Sequence, residues 1–344
     1  MIIVFKPQTS TTDIDAIKQK VIDFGYEPRL IQGVERTVIA AVGDETAHMS
    51  LQNLERLPCV EQVLPVQKKY KLVSRQFHQP NSVIDVGPAK IGNGHFMMMA
   101  GPCSVESLEQ LRTTARAAVD VGIKVIRGGA FKPRTSPYDF QGHGQEALNH
   151  LQTIKDEFGV AIITEVVAVE HIAAVANVAD VIQIGARNCQ NYNLLERVAE
   201  AGRAVMLKRG MATKIEEWLL AAEYLIVHGC PNVILCERGI RTFENATRFT
   251  LDLGAVAIAK RESHLPVVVD PSHPAGVSDL VLPLAKAGIA CGADGLIVET
   301  HPNPTEALSD AAQQIPCEDM PAFMAAIQPF IDLCHPKPCE ESAD

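Results

Sequence analysis

The chain has 344 residues, 47% of them hydrophobic, which is ordinary globular composition and length enough for two domains at about 150 residues each. Its 31 Lys and Arg against 41 Asp and Glu give a formal charge of −10 at neutral pH, which argues against sequence-independent nucleic-acid binding. Nine scattered cysteines do not form a disulfide framework, no charged start leads into a long apolar stretch, and no run of about 18 apolar residues would span a membrane. The expectation is a cytoplasmic protein with reduced thiols that engages neither nucleic acid nor a membrane.

Residues 1–70 read as a unit of their own. MIIVF (1–5) is a short apolar strand. Residues 11–25 have Ile14, Ile17, Val21 and Phe24 at helical spacing, with Thr or Asp to cap the start and Gly25 to stop it. Strand-like PRLIQG (28–33) and RTVIAAVG (36–43) follow, then a second helix around Glu45–Arg56 and a strand VEQVLPV (60–66). This β-α-β-β-α-β order predicts a ferredoxin-like α+β sandwich. Residues 71–94, punctuated by Pro80, Gly87, Pro88, Gly92 and Gly94, read as a linker with room for a hairpin.

From residue 95 to 335 the pattern alternates strictly. Strand-like runs are FMMMA (96–100), KVIRGG (124–129), AIITEV (161–166), VIQIGA (181–186), AVMLKR (204–209), NVILCE (232–237), PVVVD (266–270) and GLIVET (295–300). Amphipathic helical stretches lie between them, at 107–121, 145–158, 193–201, 214–228, 245–260 and 279–290. Such β-α alternation predicts an α/β fold, a (β/α)₈ TIM barrel. The absence of G-x-G-x-x-G after the first strand weakens a doubly wound open sheet. Residues 336–344 read as a C-terminal tail, with a loose end expected from about Ile331 onward.

In such a barrel the working residues sit at the C-terminal ends of the strands, and here those ends are polar. Arg127, Lys132, Arg134, Arg187, Lys208, Arg209, Arg238 and Arg241 all follow strand ends. Cations gathered this closely repel unless anions compensate them, which points to phosphates or carboxylates as ligands. For single members, pairing with an acid such as Glu165 or Glu237 is the alternative. It suits Arg209 best, because neighbouring strand residues face opposite sides and Lys208 and Arg209 cannot both point inward. A second set, Cys103, His273, Glu299 and Asp310, combines a thiolate, an imidazole and two carboxylates. That donor mixture suits one divalent ion of Mn²⁺, Fe²⁺, Co²⁺ or Zn²⁺ better than Ca²⁺. Each residue taken singly has an ordinary alternative, and only the shared rim groups them.

The segments GPCSVES (101–107), KPRTSPYDFQG (132–142), GARNCQNYNLL (185–195), LKRGM (207–211), DPSHPAG (270–276) and ETHPNP (299–304) closely resemble the 3-deoxy-D-arabino-heptulosonate 7-phosphate (DAHP) synthase family, type I beta subclass. The resemblance implies metal-dependent condensation of phosphoenolpyruvate with erythrose 4-phosphate, releasing phosphate, as the first step of the shikimate pathway. It implies that Arg127, Lys132, Arg187, Lys208 and Arg238, with the Gly185–Ala186 backbone, bind phosphoenolpyruvate. The phosphate of the second substrate would lie on Arg134, Thr135 and Ser136. Lys132, Lys208 and His273 would act in catalysis, and Glu165, Lys208 or His273 would handle the proton of the attacking water. KPRTS in place of K-A-N-R-S-S favours this family over its sister, 3-deoxy-D-manno-octulosonate 8-phosphate synthase. A Schiff-base barrel aldolase with Lys208 as nucleophile is a further alternative. Residues 1–70 resemble, by element order and position, the ferredoxin-like extension through which some members sense tyrosine or phenylalanine. An oligomerisation role is the simpler alternative for that unit, and a homotetramer or homodimer is expected.

Overall fold

The computed structural model describes residues 1–32, 37–42, 51–64, 69–134 and 136–335, and the chain divides into two compact units, Met1–Lys69 and Tyr70–Asp344. The first contains β1 (Ile2–Phe5), α1 (Thr11–Asp23), β2 (Glu27–Gln32), β3 (Thr37–Val42) and β4 (Val60–Leu64). The sheet order is β2-β3-β1-β4, with every neighbouring pair antiparallel. This is the split βαβ arrangement, in which β3 inserts between β1 and β2. Period-2 burial turns Ile3, Phe5, Ile39 and Val63 toward Ile14, Ile17 and Val21, which share one stripe of α1. Ser10 caps that helix in place of the Thr or Asp expected, its Oγ accepting the Asp13 N–H at 3.1 Å. Residues 45–50 of the expected second helix lie outside the described residues, and Asn53–Arg56 form a 3₁₀ turn.

The second unit opens with a hairpin, β5 (Ile84–Val86) and β6 (Ala89–Ile91). The eight following strands are β7 (Met97–Gly101), β8 (Val125–Arg127), β9 (Ala161–Val166), β10 (Val181–Ile184), β11 (Ala204–Lys208), β12 (Val233–Glu237), β13 (Val267–Val269) and β14 (Gly295–His301). Each pairs in parallel with the next, and β14 also pairs with β7, which closes the barrel. Inside it, Met97, Met99, Val125, Ile163, Met206, Ile234 and Ile297 form one cluster that also buries Ile84, Val86 and Ile91 of the hairpin. Gly87 lies against Ala161, the first residue of β9, so the hairpin stops the N-terminal mouth.

The segment expected as a linker is therefore packed into the barrel floor, and the stretch before the hairpin is strapped to the outer helices. These are α2 (Leu108–Asp120), α3 (Gln145–Phe158), α4 (Ile172–Val178), α5 (Tyr192–Ala199), α6 (Ile215–Val227) and α7 (Leu253–Glu262), followed by α8 (Ser272–Ala275), α9 (Val281–Ala290) and α10 (Met320–Cys334). Glu223 on α6 accepts the N–H groups of Lys71, Leu72 and Val73 at 3.0, 2.9 and 3.0 Å. The His264 ring bridges Ser82 Oγ at 2.7 Å and the Leu72 carbonyl at 2.8 Å.

Three expectations change. Helix α4 had no counterpart in the periodicity. The helix expected over 245–260 begins only at Leu253, because Asp252 caps it by accepting the Ala255 N–H at 3.0 Å. The chain beyond Ile331 continues as helix to Cys334, while 336–344 lie outside the described residues. Among the described residues no helix is long and apolar enough to cross a membrane.

Glu223 satisfies three backbone donors that have no main-chain acceptor among the described residues. At about 1 kcal/mol net per hydrogen bond, Glu223→Ala should lower the stability of the second unit by about 3 kcal/mol. Glu223→Gln, which keeps an acceptor oxygen, should lose less. Urea unfolding measures both, and an unchanged midpoint for the alanine variant would refute the strap.

Candidate active site

The end of β11 shows how one strand serves two environments. Lys208 points inward, its Nζ donating to Asp270 Oδ2 at 2.6 Å. Arg209 points outward, with Nη1 at 3.0 Å from Glu237 Oε2 and 2.9 Å from Asp252 Oδ2, and Nε on the Thr213 carbonyl. Arg209 is thus a structural cation, and Arg241 stands exposed, away from the cavity.

The inward residues line a cavity of about 210 Å³ at the C-terminal rim. Of the expected site residues, Arg127, Lys132, Arg134, Glu165, Gly185, Ala186, Arg187, Lys208, Arg238, His273 and Asp310 line it, joined by Gln183, Arg248 and Phe249. Cys103 and Glu299 lie buried beneath its wall.

The four expected metal ligands converge from different strand ends. Ligand atoms of Cys103, Glu299 and Asp310 lie within 4.8 Å of one another, and Cys103 Sγ is 3.4 Å from Asp310 Oδ2. His273 Nε2 is 3.7 Å from Glu299 Oε1 and 3.9 Å from Asp310 Oδ2. On its other side, His273 Nδ1 is 2.7 Å from Asp270 Oδ2, an ion-pair distance without the alignment of a straight hydrogen bond.

The electrostatics suit a cation. Burial holds the His273 imidazole below its ordinary value, against the pull of Asp270 and Glu299. Burial opposes ionisation of Glu299 and Asp310, but the His273 charge outweighs it, helped by Arg127 at Glu299 and by Arg248 at Asp310, so both are held below the usual carboxylate range. The Cys103 thiol is pushed up to about 12 by burial and then by Glu299. A divalent ion binding a thiolate displaces that proton. One sulfur and two carboxylates within this span, with the His273 ring nitrogen beside the two carboxylates, fit a divalent transition ion.

The opposite wall is cationic. The Arg238 guanidinium lies 4.3 Å over the Phe249 ring, and its buried Nη1 has no hydrogen-bond partner. Burial depresses its pKa, and neighbouring Arg248 and Arg187 depress it further against the pull of Asp270. A buried guanidinium so arranged asks for an anion. Arg127 is more committed. Its Nη1 donates to Glu299 Oε1 at 2.8 Å and to the Pro102 carbonyl at 2.9 Å, while its buried Nε lacks a partner. Arg127 therefore orients an expected metal ligand as well as facing the cavity. Lys132 Nζ bridges the two sets, 3.0 Å from Cys103 Sγ.

Glu165 accepts from Gln183 Nε2 at 3.2 Å, and a Cβ at residue 185 would overlap Glu165 Oε1, so any larger residue there would displace that carboxylate. The trio expected for a second phosphate is not assembled. Arg134 Nε donates to Asp139 Oδ2 at 3.3 Å. Thr135 lies outside the described residues. Ser136 turns into its own loop, where its Oγ accepts the Tyr138 N–H at 3.3 Å, and it does not line the cavity.

Four residues escaped the sequence reading. Asp270 sits inside the DPSH segment, from which only the histidine was drawn. Gln314 accepts the Cys103 N–H at 3.2 Å. Arg248 and Gln313 touch the expected metal ligands, Arg248 from within the stretch expected to be helical. Removing Arg209 would strand two carboxylates, one of them fully buried, so Arg209→Ala should cost about 3–5 kcal/mol in urea unfolding. A loss under about 1 kcal/mol, typical of a surface pair, would contradict the pairing.

Comparison with known proteins bears on the same residues. The DAHP synthetase I family model matches residues 72–331, and the DAHP synthase ferredoxin-like domain matches residues 1–68. A phospho-2-dehydro-3-deoxyheptonate aldolase of Thermotoga maritima is 50% identical over 318 residues, covering 92% of this chain and 94% of that protein. The crystal structure of the Thermotoga maritima enzyme superposes with a TM-score of 0.78 at 48% identity, over 96% of this chain and 97% of that one. More distant is a 2-dehydro-3-deoxyphosphooctonate aldolase of Acidithiobacillus ferrooxidans, 33% identical over 68% of this chain and 88% of its own. With a closed barrel, a ferredoxin-like unit and these matches along nearly its whole length, the chain belongs to the DAHP synthetase I family.

Proposed function

We propose that the chain is a 3-deoxy-7-phosphoheptulonate synthase, joining phosphoenolpyruvate to erythrose 4-phosphate with release of inorganic phosphate. The observation that carries this reading is the two-walled cavity. His273 and Asp310 of the donor cluster line the same small cavity as a buried guanidinium, that of Arg238, whose Nη1 no described residue meets. An aldehyde and a phosphorylated carboxylate need those two walls. The 50% identity to the heptonate aldolase, against 33% for the octonate aldolase, supports the four-carbon aldose phosphate. A Schiff-base route fits poorly, since Lys208 Nζ is tied to the buried Asp270 Oδ2 at 2.6 Å and is not free to attack a carbonyl.

A divalent transition ion held by Cys103, His273, Glu299 and Asp310 would supply Lewis acidity toward the aldehyde oxygen. Arg238, Arg187 and Lys208 hold the phosphate and carboxylate of phosphoenolpyruvate, with Arg127, Lys132 and the Gly185–Ala186 backbone closing around them. Arg134, which lines the cavity, takes the phosphate of the aldose. C3 of phosphoenolpyruvate bonds to C1 of the aldehyde, whose oxygen takes up a proton. Water adds at C2, and phosphate leaves with cleavage of the C2–O bond, so the water's proton needs an acceptor. His273 is committed as a ligand and Lys208 to Asp270, which leaves Glu165 on the cavity wall. Residues 1–69 make an effector unit for tyrosine or phenylalanine, in a homotetramer or homodimer. The described cysteines are all free thiols, as a cytoplasmic enzyme requires.

One assay tests the reaction: product formation from phosphoenolpyruvate with erythrose 4-phosphate or arabinose 5-phosphate, with and without chelator, and with each aromatic amino acid. Turnover is expected with erythrose 4-phosphate alone, lost on chelation and restored by Mn²⁺ or a related ion. Undiminished turnover after exhaustive chelation would sink the metal role. Arg134→Ala should raise KM for erythrose 4-phosphate more than KM for phosphoenolpyruvate, and the reverse split would reassign that residue.

A further inference from the structure

Each carboxylate of the donor cluster has two oxygens with different partners. Asp310 points Oδ2 at the cluster, 3.4 Å from Cys103 Sγ and 3.9 Å from His273 Nε2. Its other oxygen, Oδ1, is held 3.2 Å from Arg248 Nη1. Glu299 points Oε1 toward His273 Nε2 at 3.7 Å, and its Oε2 accepts from Gln313 Nε2 at 2.6 Å. The two outer partners are themselves joined, for Arg248 Nη1 donates to Gln313 Oε1 at 2.8 Å. A single chain thus runs from one carboxylate, through a guanidinium and a buried amide, to the other.

The stem of Arg248 is seated as firmly as its head. Gly276 has φ +73°, and a Cβ there would stand 2.7 Å from Arg248 Cβ, so the main chain after His273 lies directly against it. The next residue, Phe249, donates its N–H to the Pro274 carbonyl at 3.1 Å. The loop after β12 and the segment carrying His273 are locked together where Arg248 departs.

We propose that Arg248 and Gln313 are positioning residues for the donor cluster: by engaging the outer oxygens of Asp310 and Glu299, they turn the inner oxygens toward a shared cation. This rests on reading Cys103, His273, Glu299 and Asp310 as a divalent-cation site. The sign of the effect is the informative part. Coulomb's law alone says that removing a cation beside the cluster strengthens the binding of a second cation. Positioning says the opposite, because a freed carboxylate rotates and loses its aim.

The test uses Co²⁺ alone with the full chain, following the thiolate-to-cobalt absorption band and competing with a chelator to obtain Kd. Arg248→Met and Gln313→Met should each weaken Co²⁺ binding about 10–100-fold, the usual effect of losing an outer partner of a ligand. Arg248→Lys, which keeps a donor on Asp310, should fall between Arg248→Met and the unaltered protein. Equal or tighter binding by both methionine variants overturns the proposal, as does a lysine variant no better than methionine. Should the unaltered protein itself bind no Co²⁺, the cation-site reading falls and the proposal falls with it. Binding there with no change in the variants defeats the proposal alone.

Discussion

Asp270 is the carboxylate on which the rest of the site depends. Complete burial would by itself keep this acid neutral, yet it is held well below the usual carboxylate range because His273 and Lys208 stand on it. One oxygen, Oδ2, meets Lys208 Nζ at 2.6 Å and His273 Nδ1 at 2.7 Å. A single buried charge therefore fixes the ring that offers Nε2 to the donor cluster and the ammonium that lines the anion cavity. The donor and anion walls are mechanically linked before any ligand enters. Replacing Asp270 with a neutral group would loosen both together, which separates it from residues that serve only one wall.

Strand alternation explains how so many charges fit at one rim without mutual cancellation. Lys208 and Arg238 face the cavity, and Arg209 and Glu237, each one residue away along its strand, meet on the outer side at 3.0 Å. The same pleat that sends apolar residues alternately to barrel interior and helix layer sends charged residues alternately to chemistry and to structure. A structural pair outside and working cations inside are two outputs of one period-2 pattern.

That pattern also decides what was legible in the amino-acid sequence. Parallel strands buried on both faces read as apolar runs, so all eight barrel strands could be located within a residue or two, and their polar ends picked out the rim. Helix α4, IAAVANV, is short and lacks a polar stripe, so nothing in its periodicity distinguishes it from a connection. The loop at 245–252 keeps a helical rhythm until the Asp252 cap, which hid Arg248 inside an expected helix. The hairpin at 84–91 looked like a connector because only tertiary closure buries its three apolar side chains in the barrel floor. That Cys103, Glu299 and Asp310 come together was readable from residue type and rim position. The outer partners were not, since what matters for Arg248 and Gln313 is which oxygen of a carboxylate each one takes.

The chain's charge of −10 says little about this site, because the compensation is local. Arg127 rests on Glu299, Lys208 on Asp270, Arg209 on Glu237 and Asp252, and Arg248 on Asp310. Arg238 differs, with a buried Nη1 that no described residue meets and the Phe249 ring face 4.3 Å from its guanidinium. Burying such a charge is unfavourable in the free protein, and an arriving anion would remove part of that cost. The same holds in reverse on the other wall, where burial pushes the Cys103 thiol up to about 12 and a bound cation would displace its proton. Each wall is left incomplete in the sense opposite to its ligand. An anion bound at Arg238 and a cation bound at the donor cluster each supply a charge that the folded chain withholds.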